Sequence, residues 1–397
     1  MRARVAVSLV FGYFGVVVGT WTSRLPTLKN RLGLTDTQLG TALVCFAAGS
    51  VLGMLLLARV IDALGPARAL GTLALTQAIA LVLAAMAPNL PALCCVLAFF
   101  GAVQGTLNVT MNSAAVDVQR AYHRRMMSSF HALFSVGGLA GAASGGLAAG
   151  AGISVRHHFL AVLCVAAVPA VLAHAWRLPG GPGTADVDVD ADIDVDADVD
   201  ADVRSARAHV TARGTSLRLA TVLLGLFAMF AMVAEGAVGD WSSVYLHENL
   251  GAGVAFASSA FVVFSIAMFI SRVAGDRVVT SLGTRRFLQY SAVLGAVSLG
   301  AGVLSTAPWL AVAGFAGLGL GLAGLTPQIY TIAGDVAHGS AGRALSLIVG
   351  MGYIGFLVGP ALIGFVSGAT SLRVALLLPS LLILIIPALV PALRLSD

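Results

Sequence analysis

Charge is scarce in this 397-residue sequence: Asp, Glu, Lys and Arg together make up 10%, against 58% hydrophobic residues. Ordinary soluble domains carry about 25% charged residues, so a water-soluble enzyme or binding module is excluded. Cysteine is scarce as well. The four present, Cys45, Cys94, Cys95 and Cys164, fall inside apolar runs with no C-x-x-C spacing and no histidine at ligand spacing, which excludes a disulfide framework and a cysteine-based metal site. No G-x-x-x-x-G-K-[ST] loop exists to cradle ATP phosphates, and no Ser/His/Asp constellation recurs at catalytic spacing. Neither an enzyme nor a cofactor is expected. The net charge of +5 would suggest nucleic acid in a soluble chain, but here the placement of the charges matters more than their sum, and no nucleic-acid partner is expected.

Apolar runs dominate instead, with a mean hydropathy of +0.94. A span of roughly 20 apolar residues crosses a hydrocarbon core about 30 Å thick. Twelve such spans are expected, at 5–23, 38–58, 70–87, 92–115, 127–150, 158–176, 219–243, 254–272, 287–305, 309–331, 344–366 and 374–391. In lipid each span must satisfy its own backbone, so the fold class is an all-α polytopic membrane protein. The opening Met1-Arg-Ala-Arg before an apolar run imitates a signal peptide, yet no A-x-A cleavage site follows, and 5–23 is taken as a first transmembrane helix.

Arginine sets the orientation. With a cytoplasmic N-terminus, eighteen of the 23 Lys and Arg residues fall on the cytoplasmic side, leaving Arg24, Lys29, Arg31, Arg156 and Arg373 outside. The positive-inside rule therefore puts both termini in the cytoplasm, in a multi-pass protein of the cell (inner) membrane. Residues 177–217 form the long polar segment, where aspartates alternate from Asp186 to Asp202. Nine like charges repel and lack the glycine and terminal glutamate of a calcium loop, so the segment is expected to be a disordered cytoplasmic linker between bundles at 1–176 and 218–397.

Those two halves repeat. Gly19-Thr-Trp21-Thr-Ser23 matches Gly239-Asp-Trp241-Ser-Ser243, the run from Arg59 to Arg68 matches that from Arg277 to Arg286, and Asp117 with Arg125 matches Asp335 with Arg343. Three matches in order, at offsets of 220, 218 and 218 residues, imply two six-helix bundles in parallel repeat. Residues Ala58 to Arg68, with Asp276-Arg277 through Gly283 to Arg286, resemble the G-x-x-x-D-R-x-G-R-R loop of the major facilitator superfamily. The first copy departs from it at Ala58, Ala63 and Pro66-Ala67. Arg24-Leu-Pro26, Met111-Asn112, Ser128-Ser-Phe-His131-Ala and Glu235-Gly-Ala-Val-Gly-Asp240-Trp241-Ser look like the YbjJ-like bacterial branch, distantly similar to fucose-permease-type transporters. The resemblance implies twelve transmembrane helices and alternating access to a central pathway, and it names no ligand.

Glu235 is the outstanding residue. It lies roughly 24 Å along its helix from Leu219, past the midplane, where a desolvated carboxylate marks a functional site by default. A proton-coupling or substrate-binding acid is one reading, and a structural carboxylate bonded to Arg24 is the other. Gln104, Asn108 and Asn112 recur every four residues along one helix face, either lining the cavity or bonding between helices. His131, with Ser128, Ser129 and Ser135 as candidate partners, reads either as a relay or as a structural histidine. Asp240 at the outer helix end is expected to be solvated or paired with a loop arginine, and Trp21 and Trp241 to anchor the interface. Asp62 with Arg68, Asp117 with Arg125, Asp276 with Arg277, and Asp335 with Arg343 sit at the cytoplasmic face as candidate gating pairs, an inter-bundle latch. Dense glycines in the fifth and tenth spans read as close helix packing.

The expected function is secondary active transport of a small solute in the lipid bilayer, with protons as coupling ion and the chain working as a monomer. An efflux pump rather than a sugar-like importer, or a non-transporting receptor of the same fold, are the alternatives.

Overall fold

Long apolar runs with small residues every third or fourth position can pack only as helices pressed backbone to backbone, and a computed structural model of the chain shows that arrangement. It describes residues 2–56, 64–122, 126–175, 217–336 and 341–393. The helices are α1 (Arg2–Leu32), α2 (Asp36–Leu56), α3 (Pro66–Met86), α4 (Leu90–Tyr122), α5 (Met127–Gly150), α6 (Val155–Ala175), α7 (Leu217–Val244), α8 (Ser259–Leu282), α9 (Thr284–Leu304), α10 (Pro308–Leu322, resumed as Leu325–Val336), α11 (Ala341–Ala369) and α12 (Leu372–Leu389). A π-helical turn, Tyr245–Asn249, extends α7, and a short helix, Val254–Ala257, leads into α8. Among the described residues, twelve helices are long and apolar enough to span a membrane. The expected linker at 177–217 lies outside the described residues, apart from Leu217.

The two halves pack alike. In the first, α1 lies on α5, α2 on α4 and α3 on α6; in the second, α7 lies on α11, α8 on α10 and α9 on α12. Between the bundles, α2 meets α11, α5 meets α8 and α1 meets α7. The repeat reaches the backbone dihedrals: Gly65 before α3 has φ 75° and ψ 155°, and Gly283 before α9 has φ 78° and ψ 153°. Residues with a Cβ rarely adopt that conformation, so the matching glycines hold matching corners. The glycine-dense spans are close-packed as expected. A Cβ on Gly137 or Gly141 would strike the Gly12 or Val16 carbonyl of α1, and one on Gly314 would lie 2.7 Å from Gly302 Cα of α9.

Several boundaries differ from the apolar runs. α1 continues to Leu32 rather than ending near residue 23, because its charges are met by helix ends elsewhere. Arg24 donates to the carbonyls of Gly145 and Ile153 around the end of α5, and Arg31 to those of Ala85 and Ala87 at the end of α3. Unpaired carbonyls at a helix C-terminus are natural cation sites. Likewise α4 runs on to Tyr122 and α8 to Leu282, so Asp117, Asp276 and Arg277 lie on helices and not in loops.

Candidate functional site

Even helix number brings both chain ends to one side, here called the terminal face. At the opposite face the bundles are tied together. Trp21 Nε1 of α1 donates to Asp240 Oδ1 of α7 at 3.1 Å, and Ser243 Oγ of α7 donates to the Thr22 carbonyl of α1 at 2.8 Å. Ser258 Oγ reaches the Ser23 carbonyl at 3.3 Å. A little further out, Lys29, only 4% exposed, pairs with Asp36 at 2.6 Å and with Glu248 of the other bundle. Asp36 also accepts from Ser367 of α11. His247 and Asn30 are 3.0 Å apart across the same seam, with His247 Nδ1 2.8 Å from the Ala252 carbonyl. Both of these ion pairs run from Lys29. Lys29 is the single lysine of the sequence.

Small residues complete the seal. α2 crosses α11 at Gly40 and Gly364, where a Cβ on Gly40 would lie 3.0 Å from Gly364 Cα. α5 meets α8 at Gly146, where a Cβ would lie 3.2 Å from Ser258, and nearer the middle Gly138 faces the Phe261 ring. Beyond that level toward the terminal face, His131 of α5 and Arg272 of α8 are both exposed. They sit on continuing faces of the same helices: Arg272 follows Phe261 by close to three turns, and His131 precedes Gly138 by about two. The two faces touch near Gly138 and Phe261 and carry exposed polar side chains on the side of the terminal face, and this opening between α5 and α8 is called the cleft.

Glu235 belongs to this cleft. It is half-buried on α7, two turns below Ser242 on the same side of the helix, under the seal made by Asp240 and Ser243. The Arg272 charge is near enough to act on both Glu235 and His131, and Glu235 in turn acts on the Tyr330 phenol of α10. Glu235 of α7 is thus coupled to α8 and α10, and α5 enters through the Arg272 charge. Arg272 escaped the sequence reading because it closes an apolar run and counts there as a cytoplasmic loop charge. Its signal was position: it stands inside a helix that carries on ten residues further.

The other candidates divide. Arg24 is 1% exposed and bound wholly within its own bundle, so the structural reading of a Glu235–Arg24 bond is corrected: helix-end carbonyls hold Arg24 instead. Gln104 accepts from Gln77 of α3 at 2.9 Å, an intra-bundle bond, and Asn112 Nδ2 donates to the Asn108 carbonyl at 2.8 Å and to its Oδ1 at 3.1 Å. The face predicted on α4 is therefore largely bonded to itself. The His131 ring lies edge-on to Phe11 at 5.4 Å, and Ser135 bonds the His131 backbone carbonyl, not its ring. Asp240 is half-buried and accepts from Trp21 rather than from a loop arginine. Trp241 is 0% exposed and donates to the Pro360 carbonyl at 2.8 Å, so neither tryptophan is an interface anchor: each indole N–H finds its acceptor inside the protein.

Of the candidate latch, Asp62 and Arg125 lie outside the described residues, as do the side chains of Asp276, Asp335 and Arg343. Arg68 and Arg277 are exposed, and Asp117 is half-buried with an interaction of its own. The inter-bundle charge network that sequence reasoning missed is the one at the opposite face, whose partners lie more than two hundred residues apart.

The major facilitator superfamily model matches residues 7–245 and 223–397. The chain belongs to that superfamily. An uncharacterized MFS-type transporter of Yersinia pestis is 31% identical over 386 residues, covering 97% of this chain and 94% of its own. By fold, this superfamily member is similar to the nucleoside transporter NupG, with a TM-score of 0.71 at 12% identity over 100% of both chains. It is similar too to a D-xylose–proton symporter, with a TM-score of 0.70 at 14% identity over 98% of this chain and 96% of the other. The protein is a multi-pass membrane protein with a transporter fold and not an enzyme.

Proposed function

We propose that the protein is a proton-coupled secondary active transporter that moves a small solute by alternating access, with Glu235 as the coupling acid. The observation that carries this reading is the position of Glu235, a membrane-depth carboxylate in the cleft, directly under the bundle seal and within reach of the Arg272 charge. An acid so placed can exchange protons with the open side while the other side is closed. The likeness in fold to a proton symporter is in keeping with it.

Both termini are assigned to the cytoplasm of a cell (inner) membrane from the arginine asymmetry. The cleft then opens inward, and Lys29, Asp36, Glu248 and Ser367 serve as an outer gate. Asp62, Arg68, Asp117, Arg125, Asp276, Arg277, Asp335 and Arg343 are assigned to the inner gate, closing when the outer one parts. Because Gln104 is engaged by Gln77 and Asn108 by Asn112, the cleft wall offers few free amides, which favours an amphipathic solute over a sugar-like one. The unit of function is the monomer.

The test is proton flux into liposomes holding the purified protein, followed with an internal pH dye while candidate solutes are added. Wild-type protein should move protons with one solute class and Glu235→Gln should not. Unchanged flux in the variant would remove Glu235 from the mechanism.

A further inference from the structure

The cleft holds an arginine, and its place there bears on the charge of the solute. Arg272 is exposed on the α5-facing side of α8, below the Gly138–Phe261 contact, with its charge in reach of Glu235. A guanidinium does not lose its proton in a protein, so its charge at this depth must be answered by something. Among the carboxylates whose side chains are described none lies within ion-pair distance of it, and the side chain of Asp276, one turn on along α8, is outside the description.

The groups around it are few. The Arg272 charge on α8 acts on Glu235 of α7 and on His131 of α5, and Glu235 acts on Tyr330 of α10. α11 contributes Tyr353, α12 has no titratable side chain between Val374 and Leu389, and Tyr13 of α1 is spent on the Ala74 carbonyl. Protonation of Glu235 makes the surroundings of Arg272 more positive by one charge. Of the other acids with described side chains, Asp240 is engaged by Trp21 and Asp117 of α4 has an interaction of its own. At the cleft mouth, exposed Arg277 and Arg68 on the terminal face attract anions further.

We propose that Arg272 is the solute-binding cation of the cleft and that the transported class is a small organic monoanion, a carboxylate in the first instance, bound together with a proton on Glu235. The proton removes the internal competitor for Arg272, and the guanidinium then takes the solute carboxylate through its paired N–H groups. One proton and one monoanion move without net charge. This inference rests on the transporter reading above and adds the charge of the solute and the origin of the coupling.

The experiment uses the full chain in detergent and in liposomes. Thermal stabilisation by the sodium salts of small monocarboxylates is compared with that by neutral polyols and primary amines of equal size, at about pH 6 and about pH 8. At least one carboxylate should bind, more tightly at the lower pH. Arg272→Gln should weaken that binding by about 10- to 100-fold, the range for a lost charged hydrogen bond, and Arg272→Lys should restore part of it. Glu235→Gln should bind the carboxylate equally at both pH values. In liposomes, uptake of that carboxylate should follow a pH gradient and ignore an imposed membrane potential.

Binding of polyols or amines with no carboxylate bound, or carboxylate binding unaltered in Arg272→Gln, would overturn the inference. The two failures are distinguishable. If a neutral solute moves with protons and Arg272→Gln moves it equally well, the transporter reading stands and the anion inference falls. If a carboxylate binds as described but no solute of any class crosses the membrane, the transporter reading falls.

Discussion

The first helix of each half carries the same short motif, yet the two helices present different sides to their neighbours. In α1, Gly15 and Gly19 lie in the seam with α5, where a Cβ on either would strike the carbonyl of Phe134 or Gly138. Their counterparts in α7 are Glu235 and Gly239. A methyl group added at Gly239 would meet nothing within 4 Å, and the α7 seam with α11 is made instead by Met229, Val233 and Gly236 against Gly355, Gly359 and Phe356. α7 is thus turned about its axis relative to α1, and the side that α1 buries against α5 is turned toward the cleft. A duplicated sequence gains a functional carboxylate by rotating one copy, with no new element added.

Paired glycine substitutions at the two matched positions probe this rotation with the largest expected effect. Gly15→Ala should destabilise the protein by about 1–3 kcal/mol or more, since backbone atoms must shift to admit the methyl. Gly239→Ala should be neutral or stabilising by up to about 1 kcal/mol, the helix-propensity gain alone. Melting temperatures in detergent decide it, and equal losses would mean that α7 packs as α1 does.

Next in size is Lys29→Ala, which leaves Asp36 and Glu248 facing one another without their cation. A cost of about 1–3 kcal/mol to the sealed arrangement is expected, read as faster labelling of a cysteine placed at Thr22 by a membrane-impermeant reagent, in a background freed of native cysteines. Labelling at the wild-type rate would argue against a gate. Smaller still, Trp21→Phe should raise that labelling by weakening the seal by about 1 kcal/mol. Trp241→Phe, whose bond to Pro360 stays inside one bundle, should lower the melting temperature while leaving labelling alone. Asp276→Asn should change accessibility on the terminal face only if the inner latch exists.

Much of the fold was legible because it rests on two strong patterns, apolar runs of membrane length and a repeat at 218 to 220 residues. The twelve helices and the pairing of the halves follow from them, and Gly65 and Gly283 carry the repeat down to the level of dihedrals. The site was legible only in part. Glu235 stood out because an acid inside an apolar run is costly wherever it points. Lys29 did not, because a cation near a helix end looks like topology, and its value depends on Asp36 and Glu248 arriving from elsewhere in the chain. Arg24 and Arg31 misled for the same reason: hydropathy ends a helix at its first charges, while the acceptors that tolerate them are carbonyls at the ends of α3 and α5. Rotation of α7 against α1 was beyond a sequence match that aligns positions and says nothing of azimuth.

Lys29 touches an acid of its own bundle, Asp36, and an acid of the other, Glu248. If the bundles separate, Lys29 leaves with Asp36 and remains paired, so the ion released from this bridge is Glu248, an exposed residue with water close by. Rupture then strands no bare cation in a dry seam, and the transition can run at low activation energy in both directions. Such an asymmetric bridge behaves as a clasp that stays fastened to one side.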